Sequence, residues 1–348
     1  MSGGVDSSVA AYLLLKSGYT VTGATMKLYR PEDGQEAACG SDRDIDDARA
    51  VCDKLGIAHR VYDCTDEFRR TVIGDFADEY RAGRTPNPCI VCNKHLKFGE
   101  LLKSALDDGH DRIATGHFAR VEPDGSGRYL LKKAADASKD QSYMLWQLDQ
   151  DQLSRVLLPL GGMLKTEVRA LAAELGLVTA HKSDSQDICF VPDGDYASFL
   201  IRKAGVVPEP GDFVDGDGVV LGHHMGIIHY TIGQRKGLGI ALGQPMFVSS
   251  KDADTRRVVL CSGDSPLLYA KTVRLDRLNL IASDRLDVPV RCEAKLRYRH
   301  TAAPATLVQT GVSTAVLTFD DPQRAPAPGQ SAVFYDGDTV LGGGIIIG

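Results

Sequence analysis

The chain has 348 residues, of which 43% are hydrophobic and 25% are charged, and its formal net charge is -6 at pH 7. This length favours two or three domains over one, and no apolar run is long enough to span a bilayer. Without a signal-peptide pattern, the composition predicts a cytoplasmic, water-soluble protein with no membrane partner. The negative charge excludes nucleic-acid binding by bulk attraction, so a polyanion partner must be held by local basic clusters.

The first eight residues predict a phosphate-binding loop that opens a helix, expected from Val9 to Leu15. Gly3 and Gly4 let the backbone approach a ligand closely, and the neighbouring serines place hydroxyls near the first N–H groups of a helix, where a polyanion is favoured. The loop lacks the Gly-Lys-Ser/Thr ending of a Walker A motif, so it has no lysine of its own to reach a γ-phosphate. An ordinary helix cap after a tight turn is the alternative interpretation.

Strands and helices alternate through the next hundred residues. The predicted strands are Thr20–Leu28, His59–Tyr62 and Arg112–Thr115, and the predicted helices are Asp44–Leu55, Glu67–Ala82 and Asn93–Leu106. This alternation predicts a parallel sheet with helices on both faces, which binds ligands beyond the carboxyl ends of its strands, near Gly116 and His117. Because such a loop normally follows a buried strand, we expect that the chain has lost its first few residues through a start assigned at an internal Met.

The second half of the chain has a different composition. Before this change of composition, a hairpin at Ala119–Lys132 and helices at Gln152–Val156, Lys165–Leu175 and Tyr196–Ala204 complete the predicted first domain. Beyond Gly205, glycines, prolines and β-branched residues predict antiparallel strands at Val288–Arg299, Ala305–Gln309, Thr314–Phe319, Ser331–Tyr335 and Leu341–Ile347. We therefore predict an α/β domain with a parallel sheet at residues 1–205, a small central α+β domain at 206–263 and an antiparallel β-barrel at 264–348.

The chain has eight cysteines but not the pattern of a small disulfide-bonded domain, so most are expected to be reduced and buried, Cys52 among them. Cys89 and Cys92 lie three residues apart where a helix is about to begin, and a helix N-terminus lowers the pKa of a thiol from about 8.5. Both can therefore become reactive thiolates. Cys189 lies where a polar loop turns into a predicted apolar strand.

Several motifs resemble a known family. Ser-Gly-Gly-Val-Asp-Ser at residues 2–7 resembles the PP-loop of the ATP pyrophosphatases, which cut ATP between its α and β phosphates and adenylate an acceptor oxygen. Further motifs resemble the tRNA-specific 2-thiouridylases: Thr85-Pro86-Asn87-Pro88 with Cys92-Asn93 and Lys97-Phe98, the stretch from Lys139 to Tyr143, the stretch from Asp184 to Phe190, and the stretch from Tyr230 to Gly239. The resemblance extends from residue 2 to about residue 335 and implies a PP-loop fold for the first domain.

The resemblance implies sulfur insertion at C2 of the wobble uridine, U34, in the tRNAs for Lys, Glu and Gln. ATP, with Mg2+, would adenylate the C2 oxygen and make AMP the leaving group. Cys189 would carry a persulfide received from a sulfur-relay donor protein, and Cys92 would resolve the intermediate and leave a transient disulfide with Cys189.

The resemblance also implies a set of binding residues. The ATP-binding residues are Ser2, Gly3, Gly4, Val5, Asp6, Ser7, Ser8, Met26 and Gly116, with Asp6 near the magnesium or pyrophosphate. The target-base pocket comprises Asn87, Pro88 and Cys89. The tRNA contacts are His117, Lys139, Asp140, Gln141, Arg297, Tyr298 and Gln330. For Met26 a core position is the alternative, and for His117 a capped, satisfied histidine.

A basic stretch lies on the predicted barrel strand Val288–Arg299 and at its end. Its members, Lys295, Arg297, Arg299 and His300, are expected to share one strand face that could follow phosphates, and a solvated basic face is the alternative.

Cys89 departs from the family pattern, because some members carry Asp at this place. Cys89, Cys92 and Cys189 could instead hold a [4Fe-4S] cluster that binds the sulfur to be transferred. A structural zinc site with His95 as fourth ligand is a further alternative.

Two other functions also stay open at this stage. One is an amide-forming PP-loop ligase, which uses the same nucleotide loop without a cysteine pair. The other is a non-catalytic tRNA- or metal-binding module.

Overall fold

The computed structural model describes residues 1–28, 40–180, 182, 188–191 and 193–348. The chain forms two compact units. The first comprises Met1–Val72, Cys89–Gly194 and Asp338–Val340, and the second comprises Ile73–Pro88, Asp195–Gly337 and Leu341–Gly348. In the described ranges, no helix combines the length and the apolar character needed to cross a membrane.

Each helix that the sequence predicts is present, with ends that differ by a few residues. The α-helices are α1 (Val5–Lys16), α2 (Asp42–Leu55), α3 (Thr65–Glu67), α4 (Gly74–Arg81), α5 (Pro88–Cys92), α6 (Leu101–Asp107), α7 (Gln150–Ser154), α8 (Lys165–Glu174) and α9 (Tyr196–Lys203). Wider π-helical segments, Phe68–Ile73 and Asn93–Glu100, continue α3 into α4 and α5 into α6.

The strands are short in the first half of the chain and longer near its end. They are β1 (Gly23–Lys27), β2 (His59–Asp63), β3 (Ile113–Ala114), β4 (Arg120–Pro123), β5 (Tyr129–Lys132), β6 (Val156–Leu157), β7 (Gly211–Val214), β8 (Val220–His224), β9 (Met246–Asp252), β10 (Arg257–Ser262), β11 (Tyr269–Leu280), β12 (Val290–Lys295), β13 (Ala303–Gln309), β14 (Ala315–Arg324), β15 (Ser331–Asp336) and β16 (Thr339–Ile346).

The first unit has the predicted α/β organisation. Its parallel strands form two pairs, β1 with β2 and β3 with β6, and the two pairs are not hydrogen-bonded to each other in the part of the chain that is described. Helix α1 packs against α8 and α2, and Val9, Val51 and Val168 lie in the core that they share. The predicted parallel arrangement is therefore confirmed.

Helix α2 illustrates how local sequence sets these elements. Ile45, Ala48, Val51 and Cys52 recur at helical spacing, and all four are buried. Ser41 and Asp44 form a reciprocal capping box at its start, and Gly56 ends it in the left-handed conformation, with φ 68°. The prediction that Cys52 is a core residue is confirmed.

The second unit contains two β structures. Strands β8, β7, β10 and β9 form a four-stranded sheet in that order. Strands β11, β14, β13, β12, β15 and β16 form a ring, which closes where Leu275 of β11 lies opposite Ile346 of β16. The barrel interior is filled by side chains such as Leu307, Leu317 and Phe334. The predicted small central fold and antiparallel β-barrel are confirmed as fold classes.

Several predicted elements differ from the structure. Helix α5 begins at Pro88, not Asn93, because proline suits the first helical position, where its missing N–H is not needed. Helix α7 begins earlier than predicted because Asp149 caps it, and Val156 belongs to strand β6. Residues 189 and 190 form a turn and not the start of an apolar strand.

The expected basic strand face is wrong. Strand β12 ends at Lys295, and residues 296–300 form bends and a turn in which the His300 N–H donates to the Arg297 carbonyl at 3.0 Å. A chain that turns no longer places alternate side chains on one side. Lys295, Arg297, Arg299 and His300 therefore do not form one row of charges.

Candidate functional site

The loop before α1 is held by Ser2 and by two serines in the first turn of α1. The hydroxyls of Ser7 and Ser8 donate to the Gly4 carbonyl at 3.2 and 2.9 Å, and the Ser2 N–H donates to the Ser7 hydroxyl at 3.1 Å. Ser8 is fully buried and accepts a hydrogen bond from Thr179 at 3.1 Å. Gly4 is the N-cap of α1, and in this described loop no side chain caps the first turn. The first N–H groups of α1, which begins with the buried Val5, are therefore oriented to bind an anion.

Two glycines bring other segments close to this loop. Gly3 has a φ of 63°, and a Cβ on it would lie 2.7 Å from the Asp44 carbonyl oxygen. A Cβ on Gly116 would lie 2.7 Å from the carbonyl carbon of Asp6 and 2.8 Å from the Ser7 nitrogen. Gly116 follows β3, so the end of this parallel strand lies directly against the start of α1. The structure thus brings together the loop and Gly116, as the sequence predicts.

Two lysines that the sequence did not single out contact the same loop. The Lys165 ammonium lies 2.5 Å from a carboxylate oxygen of Asp6, and its side chain is only 8% exposed. The Lys182 ammonium donates to the Gly3 carbonyl at 2.9 Å and contacts the carboxylates of Asp44 and Asp47 at 3.1 and 2.6 Å. Burial lowers the pKa of Lys182, but the two carboxylates outweigh burial and raise it overall. The loop therefore receives from distant segments the positive charge that its own sequence lacks.

Met26 and His117 flank the predicted nucleotide site in sequence. Met26 lies in β1 opposite Tyr62 and is half-buried. His117 is 9% exposed, its Nδ1 lies 2.7 Å from the Thr115 hydroxyl, and its ring lies 5.9 Å from that of Phe98. Burial, and then the positive charge of Lys97, lower the pKa of His117 well below 6.5. His117 is therefore a neutral, packed histidine at pH 7.

This burial predicts a pH dependence of stability. Below pH 6.5 the unfolded chain protonates residue 117 while the folded chain does not, so the stabilisation is complete above pH 6.5 and is lost as the pH falls towards the folded pKa. One such group lowers the free energy of unfolding by at most about 1.4 kcal/mol per pH unit. We expect His117→Gln to flatten the urea-unfolding free energy between pH 6.5 and 5. Equal slopes for wild type and His117→Gln would contradict this assignment.

Of the three neighbouring residues predicted to contact tRNA, Lys139 is a half-buried cation, whereas Asp140 and Gln141 bind backbone groups of the protein. Asp140 is 7% exposed and accepts from the Ala134 N–H at 3.0 Å, the Ser142 N–H at 3.2 Å and the Ser142 hydroxyl at 2.9 Å. The Gln141 side chain accepts from the Phe118 N–H at 2.9 Å. Lys139 is half-buried. Asp140 and Gln141 therefore bind the backbone of their own unit.

Asp140→Ala is expected to lower the free energy of unfolding by about 3 kcal/mol, because each buried donor left without an acceptor costs about 1–3 kcal/mol. The neighbouring Lys139→Ala is the control: it removes no acceptor from a buried N–H, so its urea midpoint should fall much less than that of Asp140→Ala. If Asp140→Ala unfolded at the wild-type urea concentration, the scaffold role would be wrong.

The seven cysteines that the structure describes separate into two groups by burial. Cys89, Cys92 and Cys189 are half-buried, whereas Cys52, Cys64, Cys261 and Cys292 are buried. Burial raises the pKa of Cys64 and of Cys292 to about 11, which keeps these thiols protonated. The three half-buried cysteines are those that the sequence indicates as reactive.

The surroundings of Cys189 are partly described. Phe190 is 2% exposed, and its ring lies 5.7 Å from that of Phe68, which anchors the chain directly after Cys189. The preceding motif residues 184–187 lie outside the described residues. Among those that are described, no group of three or more His, Cys, Asp or Glu side chains is arranged to hold a metal ion. The described residues thus form no ready-made zinc site at Cys89, Cys92 and His95.

In the second unit, Gln330 fixes the backbone that precedes the predicted base pocket. Its side-chain amide donates to the Thr85 carbonyl at 2.8 Å and to the Pro86 carbonyl at 3.4 Å, and the Thr85 N–H donates to the Pro328 carbonyl at 2.8 Å. Asn87 and Pro88 follow directly, half-buried and buried respectively. Gln330 therefore acts on this segment through backbone contacts.

The other two predicted tRNA residues of this unit lie in the turn after β12. Arg297 is exposed, and one of its guanidinium nitrogens donates to the Arg324 carbonyl at 3.3 Å. Tyr298 is half-buried. A turn with an exposed guanidinium is accessible to a phosphate group.

Comparison with known proteins gives matches along the whole chain. Family models described as tRNA methyl transferase HUP domain, tRNA methyl transferase PRC-barrel domain and Aminomethyltransferase beta-barrel domain match residues 1–193, 198–262 and 270–346. The tRNA-specific 2-thiouridylase MnmA of Acetivibrio thermocellus is 51% identical, covering 99% of this chain and 97% of that protein. The protein of the same name from Clostridioides difficile is 49% identical, covering 99% and 96%.

One solved structure is similar over part of the chain. The U34-tRNA thiolase NcsA from Methanococcus maripaludis, with its [4Fe-4S] cluster, matches with a TM-score of 0.35 and 21% identity, over 59% of this chain and 65% of that one. A match this partial says nothing about the chemistry of the present site.

Proposed function

This chain belongs to the family of tRNA-specific 2-thiouridylases, and we propose that it catalyses the ATP-dependent 2-thiolation of U34 in the tRNAs for Lys, Glu and Gln. The observation that carries this proposal is the identity of about half of all positions over nearly the full length of the relatives, 51% in one case. Two of the matching models are described as methyl transferase domains. The names of the relatives, which match the chain from end to end, favour thiolation.

In the first step, the C2 oxygen of the uridine attacks the α-phosphorus of ATP, pyrophosphate leaves, and an adenylated base results. The N–H groups at the start of α1 bind phosphoryl oxygens. Asp6 suits a magnesium ion, because its carboxylate is 32% exposed and magnesium binds to one or two carboxylates plus substrate phosphates. The ion would supply positive charge at the pyrophosphate oxygens.

In the second step, sulfur replaces the activated oxygen. The terminal sulfur of a Cys189 persulfide attacks C2 and AMP leaves, so that C2 becomes joined to Cys189 through two sulfur atoms. The Cys92 thiolate then attacks the Cys189 sulfur, which releases 2-thiouridine and forms a Cys92–Cys189 disulfide. A dithiol reductant restores both thiols, and a persulfide-bearing donor protein reloads Cys189. The reaction takes place in the cytoplasm, where such a disulfide lasts only as a catalytic state.

We further propose how the tRNA is held. The wobble base leaves the anticodon stack and enters a pocket lined by Asn87, Pro88 and Cys89. Lys139, Arg297 and Tyr298 contact the RNA directly. Asp140, Gln141 and Gln330 act by fixing the segments that it meets, since their side chains bind backbone groups. The three-domain division at residues 205 and 263 assigns ATP chemistry to the first domain.

The [4Fe-4S] route is the competing mechanism for sulfur delivery, and it would use Cys89, Cys92 and Cys189 as ligands. The cysteines fit a cluster in type and number, but the described residues hold no preformed metal site. The persulfide route needs only two of these cysteines. We therefore derive no step through a cluster.

The test is 2-thiouridine formation on unmodified tRNA-Glu. Anaerobically purified protein is supplied with ATP and a persulfide donor, or with ATP and sulfide after cluster reconstitution. We expect product, AMP and pyrophosphate in the cluster-free sample. Product only after reconstitution would replace the persulfide route by the cluster route. ATP cleavage without thiolated tRNA would favour a PP-loop ligase, and binding without ATP cleavage would favour a non-catalytic module.

A further inference from the structure

The nucleotide loop has no lysine within its own motif, yet a lysine ammonium lies beside it. Lys165 is the first residue of α8 and lies 159 residues from Asp6 in the sequence. Its Nζ contacts Asp6 Oδ1 at 2.5 Å and lies 5.4 Å from the centroid of the Phe118 ring. Asp6 is in the first turn of α1, whose N–H groups form the anion site.

The placement of Lys165 is unfavourable for a merely structural residue. Lysine is rarely buried unless it is paired, and this residue is only 6% exposed, with Asp6 as a carboxylate partner. It also begins a helix, where the helix dipole disfavours a positive side chain by about 0.3–1 kcal/mol. Residues that break local rules in this way are concentrated at functional sites.

Lys182 has a different role from Lys165. Its ammonium contacts three protein acceptors, the Gly3 carbonyl and the carboxylates of Asp44 and Asp47, and an ammonium has three donors. Lys182 therefore ties the loop to α2. Lys165 contacts the loop at Asp6, the carboxylate assigned to the pyrophosphate end of ATP.

We propose that Lys165 is the phosphate-binding lysine of this site, held at the loop by Asp6 and contacting the β- or γ-phosphoryl oxygens of bound ATP. The inference rests on the proposed function, because it requires that the loop binds ATP. A compact ammonium on a flexible stem is well suited to phosphate, and the apolar ring of Phe118 beside it reduces competition from water. The cation that a Walker A loop carries in its own sequence is thus supplied here by a separate helix.

The test compares the binding of ATP with the binding of AMP, which lacks the β and γ phosphates. Lys165→Gln keeps a donor for Asp6 but removes the charge. Titration calorimetry should show an ATP Kd raised about 10- to 100-fold, as expected for a lost hydrogen bond to a charged group. The Kd for AMP should stay within about twofold, since the same loop contacts remain. Pyrophosphate should compete with ATP less well in the variant.

Two matched lysines complete the design. Lys16→Gln removes an equal charge from the exposed last turn of α1 and should leave both affinities unchanged. Lys182→Gln should weaken ATP and AMP alike, because it loosens the loop itself.

Three outcomes would overturn the inference. An unchanged ATP Kd in Lys165→Gln would exclude contact with the phosphates. An equal loss of affinity for ATP and for AMP in Lys165→Gln would make Lys165 a scaffold residue. If Lys165→Gln proves unstable, Lys165→Arg, which retains the charge, must restore ATP binding for the inference to stand. If the wild-type protein bound no ATP, the proposed function itself would be wrong. That result differs from the one that contradicts the role of Lys165 alone, in which wild type and Lys165→Gln bind ATP equally well.

Discussion

Replacing Cys189 with serine is expected to lower 2-thiouridine formation by at least about 1,000-fold, as loss of a covalent nucleophile does in other enzymes. A serine hydroxyl cannot carry the transferable sulfur, whereas the loop and the lysines beside it are unchanged. ATP binding should therefore stay within about twofold of wild type, because no phosphate contact is lost. Thiolated tRNA is measured by nucleoside analysis after digestion, and ATP binding by calorimetry.

Cys92→Ser should fail at a different point. Without the resolving thiol, the base stays joined to Cys189 through two sulfur atoms, so a covalent protein–tRNA adduct should accumulate and should be released by dithiothreitol. The matched control is Cys64→Ala, since Cys64 is a buried thiol whose pKa is raised to about 11. Normal turnover by Cys189→Ser, or by Cys92→Ser without an adduct, would contradict the two-cysteine relay.

Cys89 separates the two sulfur-delivery routes. In the persulfide route it lines the pocket and does not react, so Cys89→Asp should retain activity. In the cluster route the same change removes an iron ligand and should abolish both activity and the absorbance of the reconstituted cluster.

Local sequence predicted most of the fold because most of its signals are local. Helix α2 has a helical period and a terminal glycine, so its type and its end at Leu55 follow directly, whereas it starts two residues before the predicted Asp44 because Ser41 caps it. In strand β14, the buried residues Ala315, Leu317 and Phe319 alternate with more exposed ones. Strand β6 was missed because two residues contain no period, and it exists only through pairing with β3. The end of β12 was missed because Leu296 to His300 still read as a strand.

The candidate site was predicted less completely, for a physical reason. Its glycines, serines and cysteines lie in short motifs that a single sequence displays. Lys165 and Lys182 reach the loop from 159 and 179 residues away, and neither lies in a motif, so only the folded chain brings them there. Asp140 lies in a polar stretch that looks solvated, but its carboxylate is buried as an acceptor for nearby N–H groups.

Gly116→Ala is expected to lower ATP affinity by about tenfold or more, because the added methyl group must displace the start of α1. Its Cβ would lie 2.7 Å from the Asp6 carbonyl carbon and 2.8 Å from the Ser7 nitrogen, and both are backbone atoms that cannot rotate away. Overpacking of this kind typically costs about 1–3 kcal/mol. Part of this cost lowers the free energy of unfolding, and part appears as a displaced nucleotide loop. The melting temperature and the ATP affinity should therefore both fall.

Gly162→Ala is the matched control for this steric argument. Gly162 belongs to the same unit, its φ is not positive, and a Cβ on it would meet no atom within 4 Å. Both substitutions remove the same backbone freedom from the unfolded chain, so any difference between them reports the contact with α1. ATP affinity and melting temperature should be near wild type in Gly162→Ala. If Gly116→Ala bound ATP as tightly as Gly162→Ala, the segment after β3 would not set the position of the loop.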